Sequence, residues 1–136
     1  MKYFELYELV DKETYQALGD RSIWMLNHNA VNGLIKLREA IGKPITVNNW
    51  YWGGSLENRG YRSIYSTTGA KFSQHRVGNA FDINVKEMSS DEVNEYIQKN
   101  YHKFGITTLE DKSFTPTWTH IDFRNIQQKE LLIVKP

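Results

Sequence analysis

The chain contains no cysteine among its 136 residues. That excludes disulfides, thiolate metal ligands and a cysteine nucleophile together. Charge of one sign is also missing: 17 basic against 16 acidic side chains leave a formal net charge of +1. Nothing in that balance suggests a nucleic-acid or membrane surface. No apolar run approaches the roughly 20 residues needed to span a bilayer. Internal repeats and low-complexity segments are absent too, and nothing reads as a linker.

What is present fits one domain, with an ordinary apolar share of 40 % and enough length for a core without covalent staples. Residues 3–10 read as a short strand or an ordered arm, and Lys12 to Leu18 as a brief helix ended by Gly19. A longer helix is expected from about Ser22 or Ile23 to Ala40, stopped by Gly42-Lys43-Pro44. Its apolar face is Leu26, Ala30, Leu34, Leu37 and Ile41, widened by Trp24, Val31 and Ile35. Gly33 should weaken it by about 1 kcal/mol relative to alanine. His28 lies in this helix among asparagines and reads as a surface histidine.

Ile45 to Trp50 alternates like a strand, and a long loop rich in aromatic residues and glycine follows through Ser63. Such a loop needs packing or a ligand to offset its chain entropy. Trp50, Tyr51 and Trp52 either cover the core edge or wall a groove for an extended sugar or peptide. Ser89 and Glu92 have capping-box spacing, opening a helix whose buried stripe is Val93, Tyr96, Ile97 and Tyr101. His102 reads as a helix-terminal group. Strands are expected at about Ile106 to Leu109, Trp118 to Phe123 and Glu130 to Val134, the last at a sheet edge. Helices followed by a mostly antiparallel sheet indicate an α+β domain.

The chemistry concentrates in Ser73-Gln74-His75-Arg76-Val77-Gly78-Asn79-Ala80-Phe81-Asp82-Ile83. Gly78 turns the chain into a strand in which Phe81, Ile83 and Val85 face the core and Ala80, Asp82 and Asn84 face away. In the later strand, Trp118, His120 and Asp122 share a face. If the two strands are neighbours, Asp82 and His120 meet, and the turn must bring His75 back beside Asp82. Two imidazoles and a carboxylate are the donor set of a catalytic zinc site, which keeps a fourth position open. Calcium and magnesium favour all-oxygen sets instead. The competing reading is three hydrogen-bonded strand polars. Both histidines are expected at exposed strand or loop ends, and Ser73 is expected to hydrogen-bond the turn.

Ser73-x-His75-x-x-Gly78-x-Ala80-x-Asp82, followed by Trp118-x-His120-x-Asp122, resembles the zinc D-alanyl-D-alanine carboxypeptidase family. That family includes phage L-alanyl-D-glutamate endopeptidases and shares its fold with the Hedgehog signalling domain. The resemblance implies Zn2+ on His75, Asp82 and His120, and a peptidoglycan stem peptide as substrate. It implies an upstream arginine that holds a carboxylate or the developing oxyanion. Arg62 is favoured by Gly60-Tyr61-Arg62-Ser63, while Arg59 stays open because Asn48-Asn49-Trp50-Tyr51 competes for the place of that string. Many active members of that family place an acidic base three residues before the last metal histidine, where this chain has Thr117. Asp122 is then a base, a carboxylate orienting His120, or a structural polar residue, and Glu110 is an alternative reaching in from a loop. A non-catalytic peptidoglycan-binding or phage structural module, and a zinc amidase cutting between sugar and stem peptide, are the rival readings. A monomer is expected, made without a signal peptide in a bacterium or phage-infected bacterium and delivered to the wall by another agent.

Overall fold

A computed structural model describes all residues, Met1–Pro136. Five short strands form one sheet: β1 (Ile45–Thr46), β2 (Ala80–Val85), β3 (Thr108–Glu110), β4 (Thr119–Asp122) and β5 (Leu132–Val134). Their order is β1-β2-β4-β3-β5, antiparallel except for the parallel β3–β5 pair. With four helices, α1 (Leu6–Leu9), α2 (Lys12–Leu18), α3 (His28–Ile41) and α4 (Ser90–Asn100), the architecture is α+β. No helix is long and apolar enough to cross a membrane.

Alternation along β2 and β4 separates a core from a site. Phe81, Ile83 and Val85 on β2, Ile121 on β4 and Leu109 on β3 join one cluster with Ala30, Leu34 and Leu37 of α3 and Val93 and Ile97 of α4. Each fully buried large aliphatic or aromatic side chain contributes about 1.5–3 kcal/mol of transfer free energy. The residues between them face the other way. The register pairs Asp82 with His120 and Ala80 with Asp122, so the chemistry-bearing side chains stand in rows on the opposite face.

Helix α3 starts later than the apolar periodicity indicates. Gly19–Met25 forms a 3-10 segment, and Leu26 is extended. Asn27 then caps α3, its side chain accepting from the Asn29 N–H at 2.8 Å. The interruption has a tertiary cause. The Asn27 N–H donates to Gly78 O at 3.0 Å, and a Cβ on Gly78 would lie 2.2 Å from Met25 O. The turn that carries His75 thus needs residues 25–27 outside the helix, and only glycine allows that approach at φ +72°. Ser89 and Glu92 form the expected capping box on α4.

The strand expected from Ile45 to Trp50 stops at Thr46, because Asn48 pairs elsewhere. Its Nδ2 donates to Val10 O at 3.0 Å, and its Oδ1 accepts from the Arg59 N–H at 2.9 Å. Residues 6–9 form a helix rather than a strand or arm: Glu8 Oε2 accepts from the Glu5 N–H at 2.8 Å and closes the first turn. Trp50–Trp52 is a 3-10 turn.

Candidate metal centre

The Gln74–Val77 turn presents His75. Ser73 caps it, its Oγ accepting from the His75 N–H at 3.2 Å, and Gly78 ends it. The imidazole is not exposed as its loop position suggests; like His120, its side chain is only 3 % accessible. His75 Nδ1 lies 2.8 Å from Gly60 O. A carbonyl only accepts, so Nδ1 carries a proton donated to it, and Nε2 points inward. His120 is held in the same way: its Nε2 is 2.8 Å from Asp122 Oδ2 and donates to that carboxylate, leaving Nδ1 facing inward.

Both inward nitrogens converge on one oxygen. Asp82 Oδ1 is 2.9 Å from His120 Nδ1 and 3.3 Å from His75 Nε2. One ligand atom from each of the three residues lies within 4.8 Å of the others. Asp82 itself is placed by β2 and by its N–H, which donates to Arg59 O at 2.7 Å. With its Nδ1 proton given to Gly60 O, His75 turns a lone pair on Nε2 toward the Asp82 oxygen, and a proton or a metal cation between them relieves the repulsion. The donor types, the closeness of the three atoms and the two engaged outer nitrogens therefore fit a transition metal.

Protons respond to the same geometry. Burial alone would lower the His120 pKa, but hydrogen bonds to Asp122 and Asp82 outweigh it and raise the value to about 9. Burial would raise that of Asp82, yet His120 and His75 hold it well below the usual carboxylate range. Asp122 is likewise depressed: burial opposes ionisation, while hydrogen bonds from Arg124 and His120 favour it. Asp122 is fully buried, and both its oxygens are occupied. Arg124 donates from its backbone N–H at 3.2 Å and its Nε at 2.8 Å to Oδ1, and from Nη2 to Oδ2.

The two candidate arginines take different places. Arg62 is buried, anchored through Nε to Asn58 O at 2.6 Å, and its Nη2 stands 3.5 Å from Asp82 Oδ2. Arg59 turns outward: its Nη1 donates to Asn84 Oδ1 at 2.6 Å, and its guanidinium carbon lies 5.9 Å from the Trp118 ring centroid. Burial lowers the pKa of both, Asp82 opposing it. Thr117 stands beside Arg59 in a groove of about 490 Å³, its carbonyl accepting from Asn84 Nδ2 at 2.7 Å. A second groove, of about 530 Å³, contains His75, His120, Glu110 and Phe72. The two grooves share Arg62, Asp82 and Trp118.

The wall of the second groove is stapled by Arg76, whose guanidinium donates to the carbonyls of Ser63 at 3.1 Å, Ser66 at 2.8 Å and Ala70 at 3.1 Å. The aromatic turn Trp50–Trp52 lines neither groove. It covers the core edge instead, with Tyr51 stacked on Tyr7 at 3.8 Å and Trp50 Nε1 donating to Val10 O at 3.1 Å. The groove-wall reading of that turn is therefore corrected. His28 is a surface residue bonded to Asn32 at 3.1 Å, and His102 is exposed at the end of α4, against Tyr101. Glu110 is not in a loop, because β3 runs one residue beyond its expected end. Strict alternation from buried Leu109 was a signal for this: it puts Glu110 on the His120 face.

With this geometry in place, comparison with known families is decisive: the peptidase M15 family model matches residues 2–122. The chain belongs to the peptidase M15 family. No curated protein and no solved structure matches it. The mixed, mostly antiparallel sheet with its helices agrees with the M15 peptidase fold. Membership makes the chain a member of a family of peptidases that depend on a metal, and the His75-Asp82-His120 cluster is where this M15 chain could bind one.

Proposed function

We propose that this M15 chain is a zinc-dependent hydrolase of amide bonds in bacterial cell-wall peptides, with residues 1–136 acting as one domain and as a monomer. The observation that carries the reading is the pair of imidazoles whose outer N–H groups are engaged while both inner nitrogens face one Asp82 oxygen. His75 Nε2, Asp82 Oδ1 and His120 Nδ1 would hold the ion. Zinc would supply Lewis-acid polarisation of the scissile carbonyl and lower the pKa of a water from about 15.7 toward about 7.

The remaining roles belong to the protein. Gly60 O and Asp122 fix the two tautomers, so the inner nitrogens are free to ligate. Asp122 has no unoccupied oxygen to offer a water, which favours an orienting role over that of a base. Arg62, rigid and buried beside Asp82, would stabilise negative charge growing on the reacting carbonyl oxygen. Arg59 and Asn84 would bind a carboxylate or carbonyl of the peptide in the adjoining groove. Because grooves adjoin the centre on both sides, a bond inside the stem peptide, of the L-Ala-D-Glu type, suits it better than a terminal D-Ala-D-Ala bond. A lytic role in a phage-infected bacterium, with delivery to the wall, accords with that substrate.

Thr117, in the position where relatives carry an acidic base, favours a second reading: a peptidoglycan-binding or phage structural module with the fold but without hydrolysis. Incubation of the zinc-loaded protein with purified peptidoglycan, followed by mass spectrometry of the released ends, separates the possibilities. A new peptide amine, abolished by a chelator and restored by zinc, is the expected result. No released ends with zinc bound would favour the binding module, and stem peptide freed from sugar would favour an amidase.

A further inference from the structure

We propose that Glu110 is the general base and acid of this site, taking from β3 the role that Thr117 cannot fill. The inference rests on the peptidase reading above. It begins with the register. Thr108 pairs with Asp122 and Leu109 with Ile121, so the next step along β3 sets Glu110 across from His120. On the other side of β4, His120 pairs with Asp82. Asp82, His120 and Glu110 therefore form one lateral row on the site face of three adjacent strands, where cross-strand neighbours come within contact distance.

The side chains bear this out: Glu110 Oε1 lies 3.5 Å from His120 Nδ1, the nitrogen that faces inward. The carboxylate belongs to the groove that also contains His75, Asp82 and His120. Its side chain keeps 21 % of its surface accessible, and its oxygens have no hydrogen-bond donor other than this approach to His120. Asp122, by contrast, is buried and saturated by Arg124 and His120. Nor is Glu110 a fourth member of the ligand cluster, since the set whose atoms lie mutually within 4.8 Å comprises His75, Asp82 and His120. A free carboxylate beside the centre, open to the groove and outside the ligand set, is what proton transfer to and from the reacting groups requires.

In the reaction, the water oxygen bonds to the carbonyl carbon while one water proton passes to Glu110 Oε1. The same proton then moves to the amide nitrogen as the C–N bond breaks, giving an amine and a carboxylic acid. The acid's remaining water proton passes by way of Glu110 to the amine, so the products leave as ammonium and carboxylate with Glu110 restored and no redox change. Thr117 carries no ionisable group, and a base on the neighbouring strand removes the need for one at that position.

The test compares zinc-loaded wild type and Glu110→Gln, an isosteric change at a strand end, by zinc affinity in chelator competition and by cleavage of peptidoglycan stem peptide. The expected result is one zinc bound with a Kd within about fivefold of wild type and a rate reduced by about 10²–10⁴. Cleavage by Glu110→Gln within about threefold of wild type would overturn the assignment. So would a zinc Kd weakened by tenfold or more, since Glu110 would then be a ligand. Absence of cleavage by the wild type itself, with zinc bound, would overturn the peptidase reading and the base with it.

Discussion

Replacing Asp122 by asparagine tests how the centre is held. The substitution keeps the shape and removes one negative charge from a fully buried position that serves His120 Nε2 and three Arg124 donors. Removing one partner of a buried ion pair costs about 3–5 kcal/mol when the other charge is left stranded. Here the stranded group can reach water, because the Arg124 side chain is 28 % accessible. The asparagine oxygen also retains part of the hydrogen bonding, so a loss of about 2–3 kcal/mol is expected. The amide nitrogen must then face a donor, either the His120 N–H or the arginine, and the imidazole loses the carboxylate that fixes its tautomer. Loss of such a partner weakens metal affinity by about 10–100-fold. Urea unfolding of the metal-free protein reads the first effect, and chelator competition of the folded protein reads the second. A stability within about 0.5 kcal/mol of wild type, together with a zinc Kd within about twofold, would refute the view that Asp122 and Arg124 brace the ligand.

Two other perturbations check separate parts of the structure. The His120 pKa of about 9 in the metal-free protein lies above its unfolded value, so its contribution to stability is complete below about pH 6.5 and is lost as pH rises through about 9. A zinc ion held by His120 Nδ1, as proposed, would have to displace that proton. Calorimetry at pH 7 in buffers of different ionisation enthalpy should therefore show about one proton released per zinc, with affinity rising as pH approaches 9; a pH-independent affinity would contradict the assignment. Gly33→Ala should destabilise the fold by about 1–3 kcal/mol, although helix propensity alone favours alanine by about 1 kcal/mol. The added Cβ would lie 2.2 Å from Phe123 Cε2 and 2.5 Å from Phe104 O, and a rise in thermal stability would show that the packing against α3 is wrong.

Local pattern determined a good deal of this protein. Alternation through Ala80–Val85 separates Phe81 and Ile83 from Asp82, and Ser89 with Glu92 marks the start of α4, because side-chain periodicity and capping are properties of neighbouring residues. The motif around His75, Asp82 and His120, through its resemblance to a peptidase family, also indicates the α+β fold from sequence alone. Long-range pairing decided the rest. The interruption of the helical pattern before His28 exists because Gly78 meets Met25 and Asn27, and β1 stops at Thr46 because Asn48 bonds Val10 and the Arg59 backbone. Neither contact has a signature within a few residues of sequence. The same holds for the division between Arg62, held beside Asp82, and Arg59, turned toward Trp118. Glu110 lies between the two cases: its face follows from Leu109, but its approach to His120 required knowing that β3 lies beside β4 and in which register. Strand order depends on the closure of distant segments around a shared core, and tertiary structure alone supplies it.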